Sequence, residues 1–279
     1  MAEISRTSGS RTVVVALDAT AHGVQFLESA AAIAERLRAD LKAVLVEDES
    51  LLRLADLPFA QEVNRKSGIG RSLDSVQLNR LLRARSNQLQ QVIDRFCASG
   101  QVSAQLQVVR GHYLSAALSA TSSTDVLLLG SVGRQLATFE PYRMARGARA
   151  PSVLPKALYR RSERGACYVL YGGTEAAARA LEMAADLPGS AFSTLTVLIA
   201  SDSAGEGARL RIEAGKTLAG LSVSSRYLDV PAADGPAVVR HLRRSGCGLF
   251  VVPRGDGESL SAEVMGLLEG LDCPVALVG

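Results

Sequence analysis

The residues best suited to chemistry are Asp18 and the run Gly130-Ser131-Val132-Gly133-Arg134. Asp18 ends the apolar stretch Val13–Leu17. A carboxylate there can accept hydrogen bonds from a ribose hydroxyl or an adenine amine. It can equally cap a following helix, a role Thr20 could also fill, and both readings can hold together. Gly130-x-x-Gly133 follows the apolar run Val126–Leu129. Two glycines around a tight strand-to-helix turn let backbone N–H groups approach an anion. The helix N-terminus adds positive potential there, and Arg134 adds a full charge. Gly-x-x-Gly is also an ordinary tight turn; Asp18 at a neighbouring strand end gives it weight. The candidate ligand-binding residues are Asp18, Thr20, Val46, Leu129, Gly130, Ser131, Gly133 and Arg134.

Other chemistry is less well supported. His22, His112 and His241 fall at separate positions with no carboxylate at ligand spacing, so no metal site is expected. Ser131 lacks the Gly-x-Ser-x-Gly elbow of a nucleophile, so no catalytic residue is expected. Gly172-Gly173-Thr174 is similar to the Gly-Gly turn of adenylating enzymes, but without the serines and Asp that frame their pyrophosphate loop. Cys97, Cys167, Cys247 and Cys273 show no metal or redox spacing and lie in or beside apolar stretches, as small buried thiols do.

The elements that would position these residues occur twice. Val13–Thr20 opens the first half and Cys167–Thr174 the second, each a short apolar run stopped by small or acidic residues. An Ala-rich helical stretch and another apolar run follow in both, Leu41–Val46 and Leu195–Ala200. Later come Val126–Gly130 and Leu249–Pro253. A repeat of this size implies two copies of one domain. In the first copy, the three- and four-residue spacing of Phe26, Leu27, Ala30, Ala31, Ile33, Ala34 and Leu37 predicts an amphipathic helix. Glu47-Asp48-Glu49 should end the second strand with its carboxylates toward solvent. Residues 50–71 read as irregular. Ser72 should cap a long helix that ends at Gly100 and carries Leu78, Leu81, Leu82, Leu89, Val92, Ile93 and Phe96 on one side. Strands at Val102–Val109 and Val126–Leu129 flank a helix at His112–Ser122, and a helix at Gln135–Arg146 leads to a fifth strand near Ser152–Leu154. The second copy should run strand Tyr168–Leu170, helix Glu175–Asp186, strand Leu195–Ala200, helix Ala208–Ala219, strand Val223–Val230, helix Pro236–Ser245, strand Leu249–Val252, helix Ser259–Leu271 and strand Val275–Val278. Such alternation implies an α/β fold of two tandem doubly wound α/β/α sandwiches, with mainly parallel five-stranded sheets. Ligands of these sheets sit beyond the C-terminal strand ends, where strand order reverses.

The expected boundaries are a disordered N-terminus at 1–10, a first domain at 11–155 and a second at 156–279. At 279 residues each domain is large enough for its own core. With 4% aromatic residues and no Trp, that core is aliphatic. A net charge of +3 is too small to argue for nucleic acid. Between Arg134 and Arg164, however, 8 basic residues face only Glu140 and Glu163. That junction is either a solvated linker or a patch for an anionic partner. Met1–Ser10 is polar, and no run approaches the ~18 apolar residues of a membrane span, so a cytoplasmic protein without membrane insertion is expected.

On these residues, both copies resemble universal stress protein domains, and together they resemble the tandem members of that family. The resemblance rests on Val13–Asp18, Val44–Glu47, Leu127–Gly133 and Cys273-Pro274-Val275, and covers nearly the whole chain. It implies a Rossmann-like fold of the adenine nucleotide alpha hydrolase type. Many members bind ATP through Gly-x2-Gly-x9-Gly-Ser/Thr plus an Asp after the first strand. Asp18, Gly130 and Gly133 match; the next position is Arg143, and the nearest glycine, Gly147, is followed by Ala148. In the second copy Gly172-Gly173 replaces the Asp, and Pro253-Arg254-Gly255-Asp256-Gly257 replaces the glycine turn. The resemblance therefore implies a stress-response protein acting as a non-catalytic interaction or regulatory module with a degenerate nucleotide motif. The alternatives are an adenine-nucleotide binder using the first pocket, with ATP or another adenine nucleotide as cofactor and Mg if ATP, and a hydrolase-type enzyme. The expected partners are the chain itself, as an internal pseudo-dimer or a homodimer, and a regulatory protein.

Overall fold

Five consecutive residues with essentially no exposed surface, Val13–Leu17, form most of the first strand, β1 (Thr12–Leu17). A run that apolar fits only a strand covered on both faces, as in a parallel sheet. The computed structural model describes residues 12–18, 23–63, 70–72, 74–100, 102–122, 125–130, 166–187, 192, 194–221, 223–232, 234–255 and 260–279. The chain divides into two units, Met1–Leu127 and Leu128–Gly279. The domain boundary expected at 155/156, the helix at Gln135–Arg146, the strand near Ser152–Leu154 and the N-terminal 1–10 lie outside the described residues.

In the first unit β1 leads to α1 (Gly23–Leu37), whose buried Phe26, Leu27, Ala30, Ala31, Ile33 and Ala34 are the expected stripe. β2 (Asp40–Asp48) then pairs parallel with β1, from Thr12↔Asp40 to Leu17↔Leu45. Next come α2 (Glu49–Ala55), a small antiparallel hairpin of β3 (Gln61–Val63) and β4 (Gly70–Ser72), and the long α3 (Ser75–Ser99). β5 (Ala104–Gly111) pairs parallel with β2, from Leu41↔Ala104 to Asp48↔Gly111. α4 (Tyr113–Ser119) and β6 (Val126–Leu129) follow. The sheet order is β5-β2-β1-β6.

Three expectations change here. The region 50–71 contains regular structure that carries little pattern: α2 buries only Ala55, and each hairpin strand is three residues long. Asp74, not Ser72, caps α3, its carboxylate accepting from Val76 N at 2.8 Å, while Ser72 ends β4. Leu81 is 68% exposed. It precedes the buried stripe Leu82, Leu89, Val92 and Ile93 by one residue, about 100° around the helix. Gly100 ends α3 with φ 67, the left-handed conformation glycine adopts at low cost.

The second unit has β7 (Ala166–Tyr171), α5 (Glu175–Asp186), β8 (Leu195–Ala200), α6 (Ala204–Leu218), β9 (Ser225–Val230), α7 (Gly235–Ser245), β10 (Cys247–Pro253), α8 (Ala262–Gly270) and β11 (Val275–Val278). The order is β11-β10-β7-β8-β9, with all four pairings parallel. Counting the main strands within each unit, and leaving out the β3–β4 hairpin, both show the order 4-1-2-3. A single helix, α6, joins β8 to β9 where the first unit inserts α2, the hairpin and α3. No helix among the described residues is long and apolar enough to cross a membrane.

Candidate functional site

Asp18 immediately follows β1 and is half-buried. The register continues from Leu17↔Leu45, so Asp18 and Val46 stand at the C-terminal ends of neighbouring strands. Val46 is buried, as are Leu129, which ends β6, and Gly130, which follows it. The other four candidates, Thr20, Ser131, Gly133 and Arg134, lie outside the described residues, as does the basic junction to Arg164.

The surroundings of Asp18 are set by close packing. Gly23 opens α1, and a Cβ there would lie 3.5 Å from the Asp18 carbonyl oxygen and 3.8 Å from Leu89 Cδ2. α1 thus starts against the backbone of the strand end, with the inserted α3 behind it. From the other side, the Tyr113 hydroxyl at the start of α4 donates to the Ala16 carbonyl at 2.8 Å.

Of the acidic triplet at the end of β2, Glu47 is buried rather than turned to solvent, while Glu49 is half-exposed. Glu47 is only 8% exposed and accepts from Arg110 Nε at 3.0 Å, its register partner on β5. Asp48 caps α2, accepting from Ser50 N at 2.7 Å and Leu51 N at 3.4 Å. Glu49 pairs with Arg53 at 2.6 Å. Burying a carboxylate requires such partners, so Glu47, which looks solvated in sequence, becomes hydrogen-bonded once β5 lies alongside.

The corresponding strand end of the second unit is crowded at Gly173 and open at Gly172. Gly172 and Gly173 follow β7, and Gly173 has φ +74. A Cβ on Gly173 would lie 2.4 Å from Leu210 Cδ2 of α6. Leu210 is buried, so it fills the space a side chain at Gly173 would need, whereas at Gly172, the position that matches Asp18, a Cβ would meet nothing within 4 Å. Tyr171, Arg209 and Glu213 surround it, the last two joined at 2.6 Å. Burial pushes the Tyr171 hydroxyl above its ordinary value, and the Glu213 carboxylate adds to this. After β10, the Arg254 N–H donates to the Val278 carbonyl at 2.6 Å. That amide is committed to β11, and Pro253 has none to offer.

A cavity of about 750 Å³ instead opens one strand further along, past β8 and β9, lined by Ser201, Asp202, Gly207, Arg211, Ile212 and Asp229. Its arginine is neutralised by Asp229 at 2.7 Å, and Asp202 accepts from Ala232 N at 3.2 Å. The wall therefore carries no excess positive charge for a phosphate. Sequence reading did not single these residues out; the cap Ser203-x-x-Glu206, with Ser203 Oγ accepting from Glu206 N at 3.3 Å, was the available signal.

His112 is exposed at the cap of α4 and makes no side-chain cap bond. His241 meets Tyr168 edge-on at 5.9 Å. Among the described residues no cluster of His, Cys, Asp or Glu could hold a metal ion. Cys97, expected to be buried, is exposed, its thiol donating to the Ala104 carbonyl at 3.3 Å. It lies near the end of α3, off the buried stripe.

A scan against protein-family models finds no match, and a search of curated proteins finds none. Among solved structures, the chain is similar to a universal stress protein from Archaeoglobus fulgidus DSM 4304. The likeness covers 96% of this chain and 95% of that one, with a TM-score of 0.52 at 12% identity. A protein from Pseudomonas aeruginosa UCBPP-PA14 described in the same terms matches over 97% and 93%, with a TM-score of 0.46 at 13% identity. The chain therefore shares the fold of a universal stress protein.

Proposed function

We propose that the chain is a tandem protein of the universal stress type, serving a stress response in the cytoplasm as a non-catalytic interaction and regulatory module. The observation that carries this reading is the crowded strand end of the second unit, where Leu210 stands over Gly173 and Arg254 N bonds Val278. A fold shared with a universal stress protein, with one ligand end crowded by its own side chains, suits a surface for partners better than a pair of catalytic pockets. Its partners are a second copy of the chain or a regulatory protein.

A second reading has one observation in its favour: Asp18 stands directly beyond β1, beside buried Val46. On this reading an adenine nucleotide, with Mg if it is ATP, binds at the strand end of the first unit. Its base and ribose would take the Asp18 carboxylate as acceptor. A thermal-shift scan with ATP, ADP, AMP and cyclic dinucleotides separates the two. A nucleotide at a hundred times its dissociation constant adds about 2.7 kcal/mol to stability. No shift with any of them supports the first reading; a saturating shift supports the second. Release of inorganic phosphate from ATP would instead favour a hydrolase.

A further inference from the structure

Three of the four cysteines belong to the second unit, at the end of its sheet opposite the ligand end. Cys247 is the first residue of β10, Cys167 the second of β7, and Cys273 stands two residues before β11. β10 lies between β7 and β11. Leu249 is the register partner of Cys167, with an irregularity between Cys247 and Leu249. On the other side Phe250 pairs with Val275, and its N–H donates to the Pro274 carbonyl at 3.0 Å, which brings the approach to β11 alongside the start of β10. Cys273 lies close enough to Cys247 to raise its thiol. Extending the Phe250–Val275 register sets Cys273 beside Gly248, one position from Cys247. With strands about 4.8 Å apart and a rise of about 3.3 Å per residue, the offset pair is about 5.8 Å apart, inside the Cα separation of roughly 4.4–6.8 Å that a disulfide spans. Cys167 and Cys273 are buried and Cys247 is half-buried, so solvent reaches the cluster through Cys247.

We propose that Cys247 and Cys273 are the two partners of a reversible intramolecular disulfide, formed by a hydroperoxide and opened by a dithiol. The Cys247 thiolate attacks the peroxide, whose O–O bond breaks. Cys247 becomes a sulfenic acid, and the peroxide is reduced to water or an alcohol. The Cys273 sulfur then attacks Cys247. The S–S bond forms, the S–O bond breaks, and the oxygen leaves as water with the Cys273 proton. A dithiol reverses the step and is itself oxidised to a disulfide.

The cluster also ranks its members. Burial pushes the Cys167 thiol up to about 12, which keeps it protonated and inert. The Cys273 side chain beside it, and burial after that, hold the Cys247 thiol well above its ordinary value. The pair is therefore a slow responder to sustained peroxide rather than a fast sensor. The disulfide ties the start of β10 to the residues just before β11 and closes a ring around α8.

The test uses the whole chain, reduced, exposed to hydrogen peroxide, alkylated and digested without reductant. The expected product is one peptide pair joined through Cys247 and Cys273, with Cys97 and Cys167 alkylated, and dithiothreitol removes the link. Cys273→Ser should abolish the link and leave Cys247 as a sulfenic acid that dimedone traps. Should that variant not fold by circular dichroism, Cys247→Ser serves instead, losing the link while Cys273 stays alkylatable. Cys97→Ser, which removes the exposed thiol, should leave formation of the pair unchanged. Retention of all four alkylatable thiols by the folded, peroxide-treated chain overturns the proposal, as does a link through Cys167 or Cys97.

Discussion

The first strands of the two units end in opposite ways. β1 runs into Asp18, a half-buried carboxylate with the start of α1 against its backbone. β7 runs into Gly172-Gly173, and at Gly173 the backbone sits at φ +74 with Leu210 close above it. The strand order around both ends is the same, so topology does not make the difference. The helix after the second strand does. In the second unit α6 packs directly over the β7 end and delivers Leu210, Arg209 and Glu213 there. In the first unit the corresponding connection is the longer α2, hairpin and α3, which places Leu89 behind Gly23. A parallel sheet offers a cleft at its C-terminal edge, and the side chains of the crossover shape it.

A carboxylate one residue beyond the position that matches Asp18 should break the second unit. Gly173→Asp places a side chain at a left-handed position, at a cost of about 1–2 kcal/mol, and pushes it into buried Leu210, for roughly 1–3 kcal/mol more. The expected loss is about 2–5 kcal/mol, read as a lower denaturant midpoint with unchanged slope. Leu210→Ala alone should cost about 2–5 kcal/mol through the cavity it leaves. The double variant should be less unstable than the sum of the two, because the clash is gone. Strict additivity would mean that Leu210 does not fill the site.

The reciprocal change acts on binding rather than folding. If a nucleotide raises the stability of the chain, Asp18→Ala should erase that rise, about 2.7 kcal/mol at a hundred times the dissociation constant. Gly255→Asp, in the turn after β10, should leave it intact. Equal damage from both variants would place the ligand in the second unit and invert the comparison.

These contrasts were legible in the sequence to unequal degrees. Strands buried on both faces announce themselves as unbroken apolar runs: Leu195–Ala200, Val126–Leu129 and Val275–Val278 could be bounded to the residue. α5 was equally plain at Glu175–Asp186, because Thr174 caps it and its alanines repeat at helical spacing. The substitution of Gly172-Gly173 for an aspartate was also visible, but not the crowding at Gly173. Leu210 follows Gly173 by 37 positions, and nothing local ties the two together. The same limit hid the fate of Glu47, since Arg110 lies 63 residues away and meets it only once β5 pairs with β2. Short elements such as β3 and β4 left no periodic trace at all. The meeting of Cys247 with Cys273 required knowing that β10 and β11 are neighbours.

Glu47 offers a test of whether the first unit's edge is held by charge. Arg110 is 66% exposed and Glu47 only 11% at its side chain, so removing either partner has a different consequence. Arg110→Ala leaves a mostly buried carboxylate without its guanidinium and should cost about 1–2 kcal/mol. Glu47→Gln keeps an acceptor and leaves an exposed arginine to water, so its cost should stay below about 1 kcal/mol. Chemical denaturation of the two variants checks the order; a larger loss for Glu47→Gln would show that the pair does not work through burial.

The smallest expected effect lies at the crowded end of the second unit. Tyr171 is raised above its ordinary value of 10.0, by burial first and by the Glu213 carboxylate second, against the opposing pull of Arg209 and a hydrogen bond with Thr217. A tyrosine raised in the folded state binds its proton longer there than in the unfolded chain. Its contribution to stability is therefore complete below pH 10 and is lost as pH rises through the folded value. Glu213→Gln removes the second cause and keeps the first. Phenolate absorbance, taken as the difference from a Tyr171→Phe variant, should show Tyr171 titrating at lower pH, and the alkaline loss of stability should become shallower. At neutral pH the same substitution removes the exposed helical pair with Arg209, for about 0.3–0.5 kcal/mol. A Tyr171 titration unmoved by Glu213→Gln would mean that the carboxylate does not face the β7 end, and that Leu210 alone crowds it.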